Sequence, residues 1–124
     1  SNPLSLKSAL KNFDMIKVDN SKKHLVLGDM LELGKYSKKL HLTIGKSINK
    51  TSLKNINVIG EHVKWIFNNL NKSKRGIVIK KKSQIIDLIK NNLNNNDYLM
   101  IKGSNSTGLN ILTNQIKTGK INAL

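Results

Sequence analysis

Four short runs rich in Ile, Leu and Val, each released into a loop and then into a stretch with helical spacing, constrain the fold of this chain more than any other feature. His24-Leu25-Val26-Leu27 stops at Gly28, Ile56-Asn57-Val58-Ile59 stops at Gly60, Ile77-Val78-Ile79 gives way to three lysines, and Tyr98-Leu99-Met100-Ile101 gives way to Lys102-Gly103. Apolar runs this short, bounded by turn residues, read as buried strands. Between them lie helical patterns. Ser37 to Asn49 carries Leu40, Ile44 and Ile48 on one face, and Glu61 to Leu70 carries Val63, Ile66, Phe67 and Leu70. A third helix, capped by Ser83, carries Ile85, Ile86, Leu88, Ile89 and Leu93. Ahead of the first strand, Asn2 caps a helix over residues 3–13 that begins with Pro3 and has Leu4, Leu6, Leu10 and Phe13 as its apolar stripe. Gly108 to Lys117 reads as a last helix, and the Asn-rich stretch Asn91 to Asp97 as a turn.

Strands that alternate with helices must be joined by crossovers, which are right-handed and leave a helix over the sheet. The expectation is an α/β, Rossmann-like fold: a mostly parallel sheet of about four to six strands with helices on both faces. At 124 residues the chain holds one such domain and no second lobe.

Composition excludes more than it identifies. Without cysteine there are no disulfides and no thiolate metal sites. No apolar run approaches the length of a membrane span, and Ser1-Asn2-Pro3 does not begin a signal peptide, so the chain is expected to be cytoplasmic and without a membrane partner. The net charge of +15 first suggests nucleic acid. Against that, only Arg75 among the 22 basic Lys and Arg residues is an arginine, and the aromatic residues that would stack bases are scattered. Lysine, Asn and Ile abundance is what A/T-rich codons produce without selection for binding. Mutual repulsion at this charge favours a monomer.

In parallel sheets ligands bind beyond the carboxyl ends of the strands, so the segments that follow each strand are the candidate sites. The loop Gly28-Asp29-Met30-Leu31-Glu32-Leu33-Gly34 sets two carboxylates, Asp29 and Glu32, among apolar residues. It either holds an ammonium group or lets Asp29 cap backbone amides, and composition alone favours capping. The last loop, Lys102-Gly103-Ser104-Asn105-Ser106-Thr107-Gly108, is either a carboxylate or phosphate cradle or an ordinary turn. Neither GxxxxGK[ST] nor GxGxxG occurs. His24, His41 and His62 have no ligand spacing and read as packing or surface residues, and no metal site is expected.

The motifs, taken in order, resemble a known family. Asn2-Pro3-Leu4-Ser5-Leu6, then Leu27-Gly28-Asp29-Met30-Leu31-Glu32-Leu33-Gly34, then Ser37 with His41 and Ile44-Gly45, and finally Lys102-Gly103-Ser104-Asn105, are similar to the C-terminal domain of Mur ligases, in the branch that adds D-alanyl-D-alanine. The resemblance implies an ATP-dependent, ADP-forming amide ligation with Mg2+. A UDP-N-acetylmuramoyl-tripeptide carboxylate is phosphorylated and the amine of D-alanyl-D-alanine attacks the acyl phosphate. It implies further that the phosphate loop, metal ligands and UDP site belong to N-terminal and central domains that this chain does not contain. The central domain is then its partner, and the chain alone is expected to be inactive, with no catalytic residue of its own. Carried over by position, Asn2 lies against the nucleotide, while Asp29, Glu32, Lys102, Ser104 and Asn105 face the substrate side. Relatives carry an arginine in or just after the last loop, where this chain has Asn105, Thr107 and Gly108. The role there falls to Lys102, Ser104 and the helix amides. The competing reading is a free-standing Rossmann-like module that binds an anionic ligand or nucleic acid.

Overall fold

A computed structural model describes residues 2–103. Helix α1 (Pro3–Asp14) is followed by strand β1 (Lys23–Gly28), helix α2 (Ser37–Asn49), strand β2 (Asn55–Ile59), helix α3 (Val63–Asn69), strand β3 (Arg75–Ile79), helix α4 (Ser83–Asn92) and strand β4 (Tyr98–Lys102). The four strands form one sheet in the order β3-β2-β1-β4, and every pairing is parallel. The expected last helix and the residues Ser104 and Asn105 lie outside the described residues.

Burial follows the period of each element. Along β1, Leu25 and Leu27 join Ile56 and Val58 of β2 in a core covered by Leu6, Leu10 and Phe13 of α1, Ile44 and Ile48 of α2, and Val63 and Ile66 of α3. On the other face Val26 and Ile79 pack under Ile85, Leu88 and Ile89 of α4. Among the described residues three helices therefore cover one face and one covers the other, as a chain must do when its strand order reverses while its crossovers stay right-handed. The reversal is between β1 and β4: the chain moves from β1 outward to β3, then returns past β1 to place β4 on its other side.

Local chemistry corrects several boundaries. Asn2 caps α1 as expected, accepting from Ser5 N at 2.9 Å, but Leu4 is 77% exposed. At 100° per residue Leu6, Leu10 and Phe13 share a face that Leu4 does not. Ser83 is the first helical residue of α4 and not its cap. The amides ahead of it are held by Gln84, whose Oε1 accepts from Lys80 N at 2.6 Å and from Lys81 N at 3.0 Å. The buried face of α2 runs through His41, Ile44, Gly45 and Ile48 and leaves Leu40 at its margin. The β2–β3 pairing shifts register between Ile56 and Val58. There the buried Asn57 amide accepts from Ile77 N and donates to Leu25 O, both at 2.9 Å, so the polar groups opened by the shift are satisfied. Asn91 and Asn92 still belong to α4, and the expected turn is confined to residues 93–97, with Asn96 at φ 71° and Asp97 Oδ2 accepting from Asn94 N at 3.0 Å.

Candidate functional site

Because all four strands run the same way, the loops that follow them gather along one edge of the sheet. In such sheets ligands bind where neighbouring strands send their connections to opposite faces, which in this fold is between β1 and β4. Leu27 of β1 pairs in register with Lys102 of β4, so the loop beginning at Asp29 and the segment Lys102-Gly103 leave the sheet side by side. The two segments with the most unusual sequence thus flank the reversal. Lys102 continues the alternation of Tyr98 and Met100 and belongs to the sheet face covered by α1, α2 and α3.

Within the first loop the two carboxylates have different surroundings. Asp29 is 9% exposed, and its Oδ1 accepts from Val63 N at 2.8 Å while its Oδ2 accepts from Glu61 N at 3.1 Å. It closes the start of α3, where free amides and the helix dipole favour an anion. Gly60 makes this possible: at φ 127° it turns the chain, and a Cβ there would sit 2.6 Å from Asp29 Oδ1. That turn also explains why α3 begins at Val63 and not at Glu61. Glu32 by contrast is exposed and has left-handed backbone, φ 64°, which a side chain other than glycine adopts only when its surroundings hold it. Gly34 follows at φ 60° and leads into α2.

Three aromatic rings that sequence reasoning passed over stand behind this loop. His41 is fully buried, its Nδ1 2.7 Å from Ser37 O and its Nε2 accepting from Met30 N at 3.3 Å. Burial pushes its pKa below 6.5, against smaller opposing effects of the Ser37 carbonyl and the Asp29 charge. Trp65 meets the His41 ring edge-on at 5.8 Å and stacks on the His62 ring at 5.1 Å. His62 Nδ1 is 3.8 Å from Asp29 Oδ2 and is buried without a hydrogen-bond partner among the described residues. His24 is a packing residue, its Nε2 3.1 Å from Asp97 Oδ2. The signal available in sequence was position: His62 lies three residues past the end of β2, and His41 lies one helical turn from Ser37.

The structure brings Asp29, Glu32 and Lys102 to one edge. Asn2 is engaged at the head of α1, its Oδ1 accepting from Ser5 N at 2.9 Å. Among the described residues no three His, Asp or Glu side chains converge as a metal ion would require.

Comparison with known proteins agrees with this architecture. A UDP-N-acetylmuramoyl-tripeptide–D-alanyl-D-alanine ligase of Rickettsia prowazekii (strain Madrid E) is 28% identical over 107 residues, which cover 86% of this chain and 23% of that protein. The crystal structure of the MurF ligase from Thermotoga maritima in complex with ADP superposes with a TM-score of 0.75 at 19% identity, covering 95% of this chain and 26% of that one. The chain thus spans about a quarter of the length of these relatives. The family profile described as Mur ligase, glutamate ligase domain, matches residues 1–105, and the chain belongs to that family.

Proposed function

We propose that this chain is the C-terminal domain of a ligase that joins D-alanyl-D-alanine to UDP-N-acetylmuramoyl-tripeptide, with ATP converted to ADP and phosphate. The observation that carries the reading is the pairing of Leu27 with Lys102, which sets the Asp29–Glu32 loop beside Lys102 at the strand reversal. A dipeptide zwitterion needs an anionic and a cationic neighbour at opposite ends. Glu32 is the exposed carboxylate for its ammonium, with Asp29 beneath adding negative charge while it holds α3 in place. Lys102, with Ser104 and Asn105 beyond it, faces the dipeptide carboxylate.

In the reaction the tripeptide carboxylate attacks the γ-phosphorus of ATP, ADP leaves, and the dipeptide amine displaces phosphate from the acyl carbon as it loses a proton. The part of this domain is binding and orientation, so that the amine is held near the acyl carbon and water is kept away. Asn2 lies at the nucleotide side. Mg2+ and the phosphate-binding groups belong to the central domain. The nucleotide-linked substrate places the reaction in the cytoplasm, and the enzyme acts as a monomer.

The test is phosphate release by the complete ligase, assembled from this domain and the central and N-terminal domains of its own reading frame. Turnover is expected only with both the muramoyl-tripeptide and D-alanyl-D-alanine present, and none is expected from the 124-residue chain by itself. Lys102→Ala is expected to raise KM for the dipeptide by on the order of tenfold, the loss of one charge-assisted contact. Turnover indifferent to the dipeptide sinks the reading.

A further inference from the structure

We propose that His41 is a positioning residue for the loop at the strand reversal: as the neutral imidazole with its proton on Nδ1, it holds the Met30 amide and thereby fixes the path of the chain from Asp29 to Glu32. The inference rests on the reading that this loop faces the dipeptide.

The argument begins with donors and acceptors. Met30 N is a donor buried 11 residues upstream of His41, and it points at Nε2 from 3.3 Å, so that nitrogen must carry a lone pair. The other nitrogen, Nδ1, lies 2.7 Å from Ser37 O, which can only accept, so Nδ1 carries the proton. The two contacts select one tautomer and leave no place for a second proton. The remaining surroundings agree. Trp65 meets the ring edge-on, and the two titratable groups that face it, Asp29 from the loop and His62 from the start of α3, act on it in opposite directions.

The same imidazole reaches three elements at once: its own helix α2, the loop after β1, and α3 through Trp65 and His62. Adjacent residues of the loop are thereby held from two sides. The Asp29 side chain grips Glu61 N and Val63 N, and the Met30 backbone is gripped by His41. Two residues later Glu32 sits at φ 64°, a conformation that needs the flanking chain to be held. A filler of the same size without an acceptor would keep the core and release the loop.

Two measurements decide the matter. In the wild-type chain, nitrogen chemical shifts of the His41 ring are expected to show the Nδ1–H tautomer and a through-bond coupling from Met30 N–H to Nε2. The Nε2–H tautomer, or a protonated ring at pH 7, overturns the proposal whatever the enzyme does. In the complete ligase, His41→Phe is expected to raise KM for D-alanyl-D-alanine by on the order of tenfold, with kcat and KM for ATP within about twofold. His41→Gln, whose amide oxygen restores an acceptor near Nε2, is expected to recover most of that loss. Equal KM values in wild type and both variants, or equal defects in both variants, overturn it. If the wild-type ligase ignores the dipeptide, the functional reading falls while the tautomer still reports on the loop. If His41→Phe does not fold, the ring nitrogens and the His41→Gln KM decide alone.

Discussion

Replacing Asp29 tests the joint between the switch-point loop and α3 directly. Its carboxylate is 9% exposed and accepts two backbone hydrogen bonds, from Val63 N at 2.8 Å and Glu61 N at 3.1 Å. Hydrogen bonds to a charged group contribute about 1.5–3 kcal/mol each, but the two are not lost equally. Val63 is fully buried, so its amide stays unsatisfied when the carboxylate goes, whereas Glu61 is exposed and its amide is rehydrated. Asp29→Ala should therefore cost about 2–4 kcal/mol, and Asp29→Asn, which keeps one acceptor in place, about 1–2. Against a total of about 5–15 kcal/mol the domain should remain folded. In urea, with a slope of about 1.5–2 kcal/mol per molar, the Ala variant's midpoint should fall by about 1–3 M at unchanged slope. Gly60 supplies an internal control, because a Cβ there would lie 2.6 Å from Asp29 Oδ1. Gly60→Ala carries both a backbone penalty at φ 127° and that clash, and only the clash disappears once Asp29 is alanine. The double variant should be at least about 1 kcal/mol more stable than additivity predicts. A midpoint for Asp29→Ala within error of wild type, or additive costs, would refute the account of this joint.

At the start of α4, Gln84→Ala should lose about 1 kcal/mol by thermal or urea denaturation because it removes the acceptor for Lys80 N and Lys81 N, whereas Ser83→Ala should change stability by less than about 0.5. Burial lowers the His41 pKa from 6.5, so in this region the unfolded chain binds more protons than the folded one. Wild-type stability should accordingly be complete above pH 6.5 and decline as the pH falls below it, levelling off under the folded-state pKa. Denaturation of His41→Gln across the same range should lack that component, and parallel profiles would count against the burial argument.

How much of this was readable in the sequence depended on whether the causes were local. The strands and helices were legible because Leu25, Leu27, Ile56 and Val58 alternate, while Ile44 and Ile48 or Ile85 and Ile89 recur at four, periods that a backbone imposes on any core-facing element. The Asn2 cap was legible for the same reason, since its partner Ser5 is three residues away. What escaped depended on residues distant in the chain. The start of α4 is the exception: Gln84 reaches only three and four residues back to Lys81 N and Lys80 N, but from inside the helix, where the pattern for a cap at Ser83 does not look. That Asp29 caps backbone amides was legible, but not which ones: it reaches 34 residues forward to Val63, and no spacing rule connects them. His41 was classed with packing or surface histidines, although its two ring nitrogens have separate partners fixed only by the tertiary fold.

The positive charge and the site separate on inspection of individual cations. Arg75, the single residue suited to bidentate grip of phosphate or guanine, donates through Nε to Leu70 O at 3.1 Å and through Nη2 to Asn68 O at 3.1 Å. Its guanidinium also lies 5.7 Å from the centre of the Phe67 ring, so it closes the turn between α3 and β3. Two lysines are likewise taken inward. Lys23 reaches Asp14 O at 2.8 Å, and Lys74, its pKa lowered by burial, reaches Thr51 O and Leu53 O at 2.7 and 2.8 Å. These three cations tie together chain segments at turns and strand starts by satisfying carbonyls that secondary structure leaves open. The lysines that remain at the surface act as point charges, which raise affinity for any polyanion without selecting one. Lys102 differs from them in place and not in kind: the register with Leu27 sets it beside the loop that begins at Asp29, where among the described strands the connections turn to opposite faces of the sheet.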